Sequence, residues 1–252
     1  MPAICFYFVF WYNTNMQSKT KDIVANILSS IVTVVCVFLL LLSICFLTYN
    51  ACYRKTCVRG YSMLPTINKN VDDINADGDT VFINVYEPLK ADSIVVAEVD
   101  WWQYGSVIKR LVALPGDCVQ IEQTETCYNL NVNGNLVYSR PKANENGEIN
   151  TDIKNYYQHK YLPFVSNLTY FNGQHVDHSA NIGSYNGEPC IVLNTNEYFL
   201  IGDNWTDNMV DCMTFGPVKK ANIVGTVDLI VDVKDNILLT VTKHIFKILF
   251  SI

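Results

Sequence analysis

The chain's hydrophobic and polar positions are distributed unevenly. From Ile23 to Tyr53, 31 residues pass without an Asp, Glu, Lys or Arg. The run includes Val34-Val35-Cys36-Val37-Phe38-Leu39-Leu40-Leu41-Leu42, and no Pro or Gly interrupts it. About 20 apolar residues cross a bilayer as a helix, so this run is long enough with tilt to spare. A buried core helix of this length would carry a polar face. A cleaved signal peptide would have a shorter apolar core and an A-x-A-like site after it. Here the run ends in Thr48-Tyr49-Asn50-Ala51-Cys52-Tyr53. The pattern therefore predicts a retained transmembrane anchor over residues 23–48, preceded by a segment of residues 1–22. The apolar opening of that segment, Ile4 to Tyr12, is too short to span and suits the interface.

After residue 60 the period changes. Short runs rich in Val, Ile, Tyr and Phe alternate with turn residues, as strands do. The runs are Thr80 to Val85, Ser93 to Ala97, Ser106 to Leu114, Tyr198 to Ile201 and Gly225 to Val233. Asn133-Gly134 between Asn131-Val132 and Leu136-Val137 is a strong hairpin signal. Residues 139–190 hold many Asn, Gly and Tyr and read as long loops with short strands. The fold expected is mainly β: an antiparallel β-sheet domain over residues 49–235, with an inserted β-rich and loop region at 118–197. In the last segment, residues 236–252, Ile237, Leu238, Val241, Ile245, Leu249 and Ile252 recur at helical spacing around Lys243, His244 and Lys247. That amphipathic helix fits either a membrane surface or a docked position on the domain.

Charge narrows the possibilities. Eighteen Lys and Arg against 24 Asp and Glu leave a net charge of -6, and only 17% of residues are charged. Half the chain is hydrophobic, which excludes intrinsic disorder. The acidic balance excludes the basic profile of a nucleic-acid binder. Lys19 and Lys21 flank the anchor on one side and Arg54, Lys55 and Arg59 on the other, a near balance leaning toward a cytoplasmic domain. The nine cysteines include no CxxC pair and the four histidines no HExxH pattern, so the sequence offers no metal site or cofactor. Cys118 and Cys127 either pair, if their segment is exported, or stay free thiols in strands.

Candidate chemistry begins at Lys109, in Ser106-Val107-Ile108-Lys109-Arg110-Leu111. In a strand, Lys109 shares a face with Val107, Leu111 and Ala113, and Arg110 shares the other with Ile108, Val112 and Leu114. Both faces are otherwise apolar, so one of the two cations is held in apolar surroundings. Burial disfavours a charged lysine and lets it act as a general base near neutral pH, a role closed to arginine. The alternative is two edge charges snorkelling to water. Ser62, in Arg59-Gly60-Tyr61-Ser62-Met63-Leu64-Pro65-Thr66, sits where an exposed turn is expected. A serine needs a base to become a nucleophile, and a lysine can supply it. Leu114-Pro115-Gly116-Asp117 and Gly202-Asp203-Asn204 read as turns rich in Asp and Asn.

In order, Ser62-Met63-Leu64-Pro65-Thr66, Gly78-Asp79-Thr80-Val81, Pro88 to Val96, Lys109-Arg110 with Leu114 to Asp117, and Gly202-Asp203-Asn204 with Asp211 and Gly216 resemble the type I signal peptidase family. The resemblance covers roughly residues 20–232, anchor included. It implies a membrane-bound serine endopeptidase with a Ser–Lys dyad, Ser62 as nucleophile and Lys109 as general base, and no cofactor. It implies that the Ser62 backbone N–H helps hold the developing oxyanion, with Gly60 offering backbone only. Its substrates would be preproteins whose signal peptides bind as an added strand. Met63 and the strand residues Thr80, Val81 and Phe82 are then candidates to flank the groove. Asp203, Asn204 and Asp211 would support the site. Such an enzyme implies a single-pass cell-membrane protein in contact with lipid, its catalytic domain on the extracytoplasmic side, against the slight lean of the charges.

The last block departs from the family pattern. Trp205 stands where an Arg is usual, Met209 near an expected Ser, and Cys212-Met213 for Ser-Arg. One residue more than is common separates Gly202 from Asp211. These changes predict that Asp203 and Asp211 are less well fixed. They leave a second reading open: a membrane-anchored binding or scaffold protein that retains the fold with weak or no activity. A self-cleaving regulator with the same dyad is a third, and the anchor counts against it.

Overall fold

The computed structural model describes residues 18–73, 75–99, 105–141, 168–171, 174–177, 181–204, 211–212 and 216–250. The apolar opening Ile4 to Tyr12, and Trp205 to Met209 with Met213, lie outside the described residues. The chain divides into two units, residues 1–52 and 53–252.

The first unit is the helix α1, Ser18–Cys52. It extends beyond the expected 23–48 at both ends. Its apolar part, Thr20–Cys52, has a window of mean hydropathy 3.0 and buries none of it against protein. At ~1.5 Å per residue it is about 50 Å long, more than the ~30 Å of a hydrocarbon core. The polar side chains in this helix are satisfied internally. Ser30, Thr33, Ser43 and Thr48 each donate to the carbonyl four residues back, and Asn50 Nδ2 does the same to Phe46. In hydrocarbon such groups have no water to turn to, so these bonds remove the cost of carrying them. The helix is long and apolar enough to cross a membrane.

The second unit is mainly antiparallel β. Its main sheet contains β1 (Tyr53–Cys57), β2 (Thr80–Asn84), β3 (Ile94–Glu98), β4 (Ser106–Ala113), β12 (Glu197–Ile201), β13 (Val218–Lys219) and β14 (Ile223–Val231), in the spatial order β1-β2-β14-β3-β4-β12-β13. A second sheet, in the order β10-β11-β5-β6-β7, is built from β5 (Cys118–Gln123), β6 (Cys127–Val132), β7 (Asn135–Pro141), β10 (Asn181–Tyr185) and β11 (Glu188–Val192). A short hairpin pairs β8 (Leu168–Phe171) with β9 (Gln174–Asp177). The helix α2, Ile237–Phe250, closes the described chain.

The strands expected from the alternating runs form with ends shifted by one or two residues. Asn133 (φ 51°) and Gly134 (φ 74°) both take the left-handed conformation that the β6–β7 turn demands, which explains the Asn-Gly pair. The strand β1, with Arg54 and Lys55 in it, falls outside the expected runs. It lies at the sheet edge and its last four residues are exposed, so its composition carries no apolar alternation.

Two hydrophobic clusters hold the domain. The larger joins the sheets: Val119, Leu130, Val132 and Ile191 of the second sheet pack with Val95, Leu111, Phe199 and Leu200 of the main one. The smaller gathers Val58, Met63, Ile67, Val81, Ile83 and Val96 beneath the segment that carries Ser62. The disulfide corrects one expectation: Cys118 bonds Cys190, and Cys127 is a free thiol. Cys118 and Cys127 start the two strands of one hairpin and so stand at its opposite ends, whereas β5 and β11 are neighbours with Val192 opposite Cys118. The Cα atoms of Cys118 and Cys190 are 5.8 Å apart, within bridging range.

Candidate active site

The sheet places Lys109 as strand alternation requires. Val107, Lys109, Leu111 and Ala113 are buried, while Ile108 and Arg110 are half-buried on the other face. Lys109 is 4% exposed. Its Nζ donates to Ser62 Oγ at 2.6 Å. An amine buried among apolar side chains is disfavoured as ammonium, and a neutral amine at this distance can accept a hydroxyl proton.

Ser62 lies in a run of turns between β1 and β2, and side chains remote in sequence fix that run. Asn204 grips it twice: its backbone N–H donates to the Ser62 carbonyl (3.0 Å) and its Nδ2 to the Tyr61 carbonyl (3.1 Å). Buried Asn68 donates from Nδ2 to the carbonyls of Val58 (3.2 Å) and Gly60 (2.8 Å). Asp79 locks Asn68 in turn, through Asn68 N–H to Asp79 Oδ2 (2.7 Å) and Asp79 N–H to Asn68 Oδ1 (2.8 Å). A Cβ at Gly78 would collide with Asn68 Oδ1 and meet the Val58 carbonyl at 2.8 Å, so the clamp needs glycine there. Met63 is buried in the smaller cluster and anchors the loop from below.

Arg110 points to the opposite face and meets Asp203. The pair is a fork: Nε to Oδ1 at 2.8 Å and Nη2 to Oδ2 at 2.7 Å. Two parallel bonds of this kind are the strong form of such a contact. The hydrogen bond to Asp203 is also the main cause that raises the Arg110 pKa above its ordinary value. Thr66 Oγ1 donates to Asp203 Oδ2 (2.5 Å), and Tyr138 Oη, from β7 of the second sheet, donates to Oδ1 (3.3 Å). Burial, then Asp203, pushes the Tyr138 phenol up to about 12. The turn 202–204 thus ties together the Ser62 segment, the strand that carries Lys109 and the second sheet. Asp211 is buried, and Cys212 after it is in the core, its Sγ accepting from Leu200 N–H (3.0 Å). Burial pushes the Cys212 thiol well up, which keeps it protonated and unreactive.

The family described as "Signal peptidase, peptidase S26" matches residues 27–232. The chain belongs to this family. A solved signal peptidase I from Enterococcus faecalis is similar at 21% identity over 56% of this chain and 97% of that one, with a TM-score of 0.31. No curated protein matches. The matched region contains every element of the site and ends before α2.

Within a signal peptidase frame the departures after Gly202 have a different consequence from the one expected. Asp203 is held by Arg110, Thr66 and Tyr138, so the Arg replaced by Trp205 is not needed to fix it. The strand expected to flank a groove is also paired on both edges. β2, with Thr80, Val81 and Phe82, pairs with β1 on one side and β14 on the other. Its backbone is committed to both neighbours and Val81 and Phe82 are buried, so no strand adds there. On β4, by contrast, β12 reaches only Arg110, Leu111 and Ala113. Among the described residues, no strand pairs with Ser106 to Lys109 on the side away from β3. Asn68 and Tyr138 escaped the sequence reading. Nothing local marks Tyr138, while Asn68 gives itself away only through its φ of 63°.

Proposed function

We propose that this protein is a membrane-anchored serine endopeptidase that removes N-terminal signal peptides from exported preproteins by a Ser–Lys dyad. The observation that carries the reading is the 2.6 Å hydrogen bond from buried Lys109 Nζ to Ser62 Oγ. Neutral Lys109 takes the Ser62 proton as Oγ attacks the scissile carbonyl. The tetrahedral oxyanion is met by the Ser62 backbone N–H, in a segment whose carbonyls Asn68 and Asn204 already hold. Lys109 then gives the proton to the leaving amine, and, neutral again, activates a water that releases the acyl group from Ser62. The extended substrate adds to the open edge of β4 beside Lys109, with main-chain hydrogen bonds for affinity. α1 anchors the enzyme, and the domain works on the extracytoplasmic side.

Ser62→Ala and Lys109→Ala test the dyad in full-length, detergent-solubilised protein given a model preprotein. Each is expected to lower turnover by ~10³-fold or more, as loss of a nucleophile or its base does, with unchanged thermal unfolding. Near-normal turnover by either variant sinks the dyad. If the unaltered protein yields no product with a new amino terminus, the departures from Trp205 to Met213 favour the scaffold reading instead.

A further inference from the structure

The helix α2 follows the matched family region and is not used by the site. Its two sides differ in what they meet. Ile237, Val241, His244 and Ile245 form its half-buried side. The His244 ring stands edge-on to Tyr53 at 5.7 Å, and its Nε2 is 3.5 Å from Asp228 of β14. The other side bears Leu238 (75% exposed), Leu239 (55%) and Phe246 (56%). Among the described residues after Cys52, eight large apolar side chains are exposed, and four of them are on α2. Thr242 lies between Leu239 and Phe246 at helical spacing, and its hydroxyl is turned into the helix on the Leu238 carbonyl (2.7 Å). The outward stripe is therefore apolar throughout.

A helix resting on a soluble domain turns polar residues outward; this one does not. Its only charges are Lys243 and Lys247, one turn apart on the flank of the stripe, and no acid occurs between residues 237 and 250. The part of the chain after the anchor is acidic even with these two lysines counted: Lys19 and Lys21 against Asp22 leave +1 before the anchor, so a total of -6 puts -7 after it. A local pair of cations on an anionic domain, beside exposed apolar side chains, matches an anionic lipid surface. The membrane is also at hand in sequence. Tyr53, which His244 touches, is the residue directly after the apolar helix α1.

We propose that α2 is an interfacial helix. It lays Leu238, Leu239 and Phe246 into the lipid surface and sets Lys243 and Lys247 on anionic headgroups, giving the domain a second hold on the bilayer besides α1. The reading does not depend on the dyad, and a Ser62→Ala background should give the same result.

Full-length protein carrying a photoreactive benzoylphenylalanine at Leu239 or Phe246, with one at exposed Glu125 as reference, is reconstituted into vesicles. These are made of phosphatidylcholine alone or with phosphatidylglycerol. Illumination followed by mass spectrometry should give lipid adducts at 239 and 246, several-fold more in the anionic vesicles, and none above background at 125. A Lys243→Gln, Lys247→Gln double variant should remove the anionic preference. Adducts to a second copy of the chain overturn the proposal in favour of self-association. Absence of lipid adducts at both positions overturns it outright, as does an equal yield at Glu125.

Discussion

Asp203 receives side-chain donors from Thr66, Arg110 and Tyr138, which belong to three parts of the chain. Arg110 and Asp203 are 14% and 6% exposed at the side chain, and Arg110 also reaches Asp92, so removing Arg110 leaves the buried Asp203 carboxylate with neutral donors alone. Arg110→Met should therefore destabilise the domain by roughly 3–5 kcal/mol, read as a shift in urea midpoint. It should also slow cleavage, because Asp203 and Asn204 hold the Ser62 segment. Tyr138 makes a separate prediction through pH. Its folded phenol, near 12, binds its proton more tightly than the unfolded one, near 10. Its stabilising share is thus complete below about pH 10 and is lost as pH climbs through about 12. Between those values the unfolding free energy of the native protein should fall more steeply than that of Tyr138→Phe. Equal slopes would show that burial and Asp203 do not hold the Tyr138 phenol above its ordinary value in the folded protein. The sequence made the chemistry of this site readable only in part. Lys109 could be placed by alternation alone, and its pairing with Ser62 by motif order. The partners of Asp203 come from positions up to 137 residues away, and no local pattern encodes them.

The strands that are easiest to read in the sequence are the largely buried ones, β2, β3, β4 and β12, since packing on both faces favours apolar runs. β1 was hidden because an edge strand tolerates Arg54 and Lys55. Which strand has an edge open to an added strand was hidden as well, because it depends on the sheet order and not on composition. β2 looked suitable until its two neighbours were known, and β4 gained an open edge only from where β12 stops. The Cys118–Cys190 bond is of the same kind: its ends are 72 residues apart and meet only because β5 and β11 pair. A cross-link closing a loop of that size is expected to stabilise by up to about 4 kcal/mol in the chain-entropy account. Cys118→Ala should lower the unfolding free energy by roughly 2–4 kcal/mol, read as a lower denaturation midpoint. Because Tyr138 belongs to the sheet so stapled, the same change should loosen the support of Asp203 and reduce turnover. An unchanged midpoint with and without reductant would show that the bridge is not formed in the folded protein.

At the scale of the whole molecule two observations pull in opposite directions on which side of the membrane the domain lies. The basic residues flanking the uncharged run, Lys19 and Lys21 in the first turn of α1 and Arg54, Lys55 and Arg59 after it, lean slightly toward a cytoplasmic domain. The bridge between Cys118 and Cys190 leans the other way, since thiols in a reducing cytoplasm stay reduced while disulfides persist in exported compartments. The charge difference is a single residue, and loops and domains this long translocate largely regardless of such counts. A disulfide joining two strands of a packed sheet is a stronger constraint than one lysine. A peptidase acting on exported preproteins also has to meet the cleavage site after translocation. The domain should therefore be extracytoplasmic, with the start of α1 on the other side. Two measurements on intact cells or sealed right-side-out vesicles decide it. Added protease should degrade the domain without detergent. Because Cys118 and Cys190 are buried, a thiol reagent added with denaturant should label them only where a reductant that cannot cross the membrane was first supplied to the intact vesicles. Complete protection from the protease, or labelling of both cysteines without reductant once the membrane is opened, would place the domain in the cytoplasm. That outcome would remove the preprotein reading while leaving the Ser62–Lys109 geometry to be explained by another substrate.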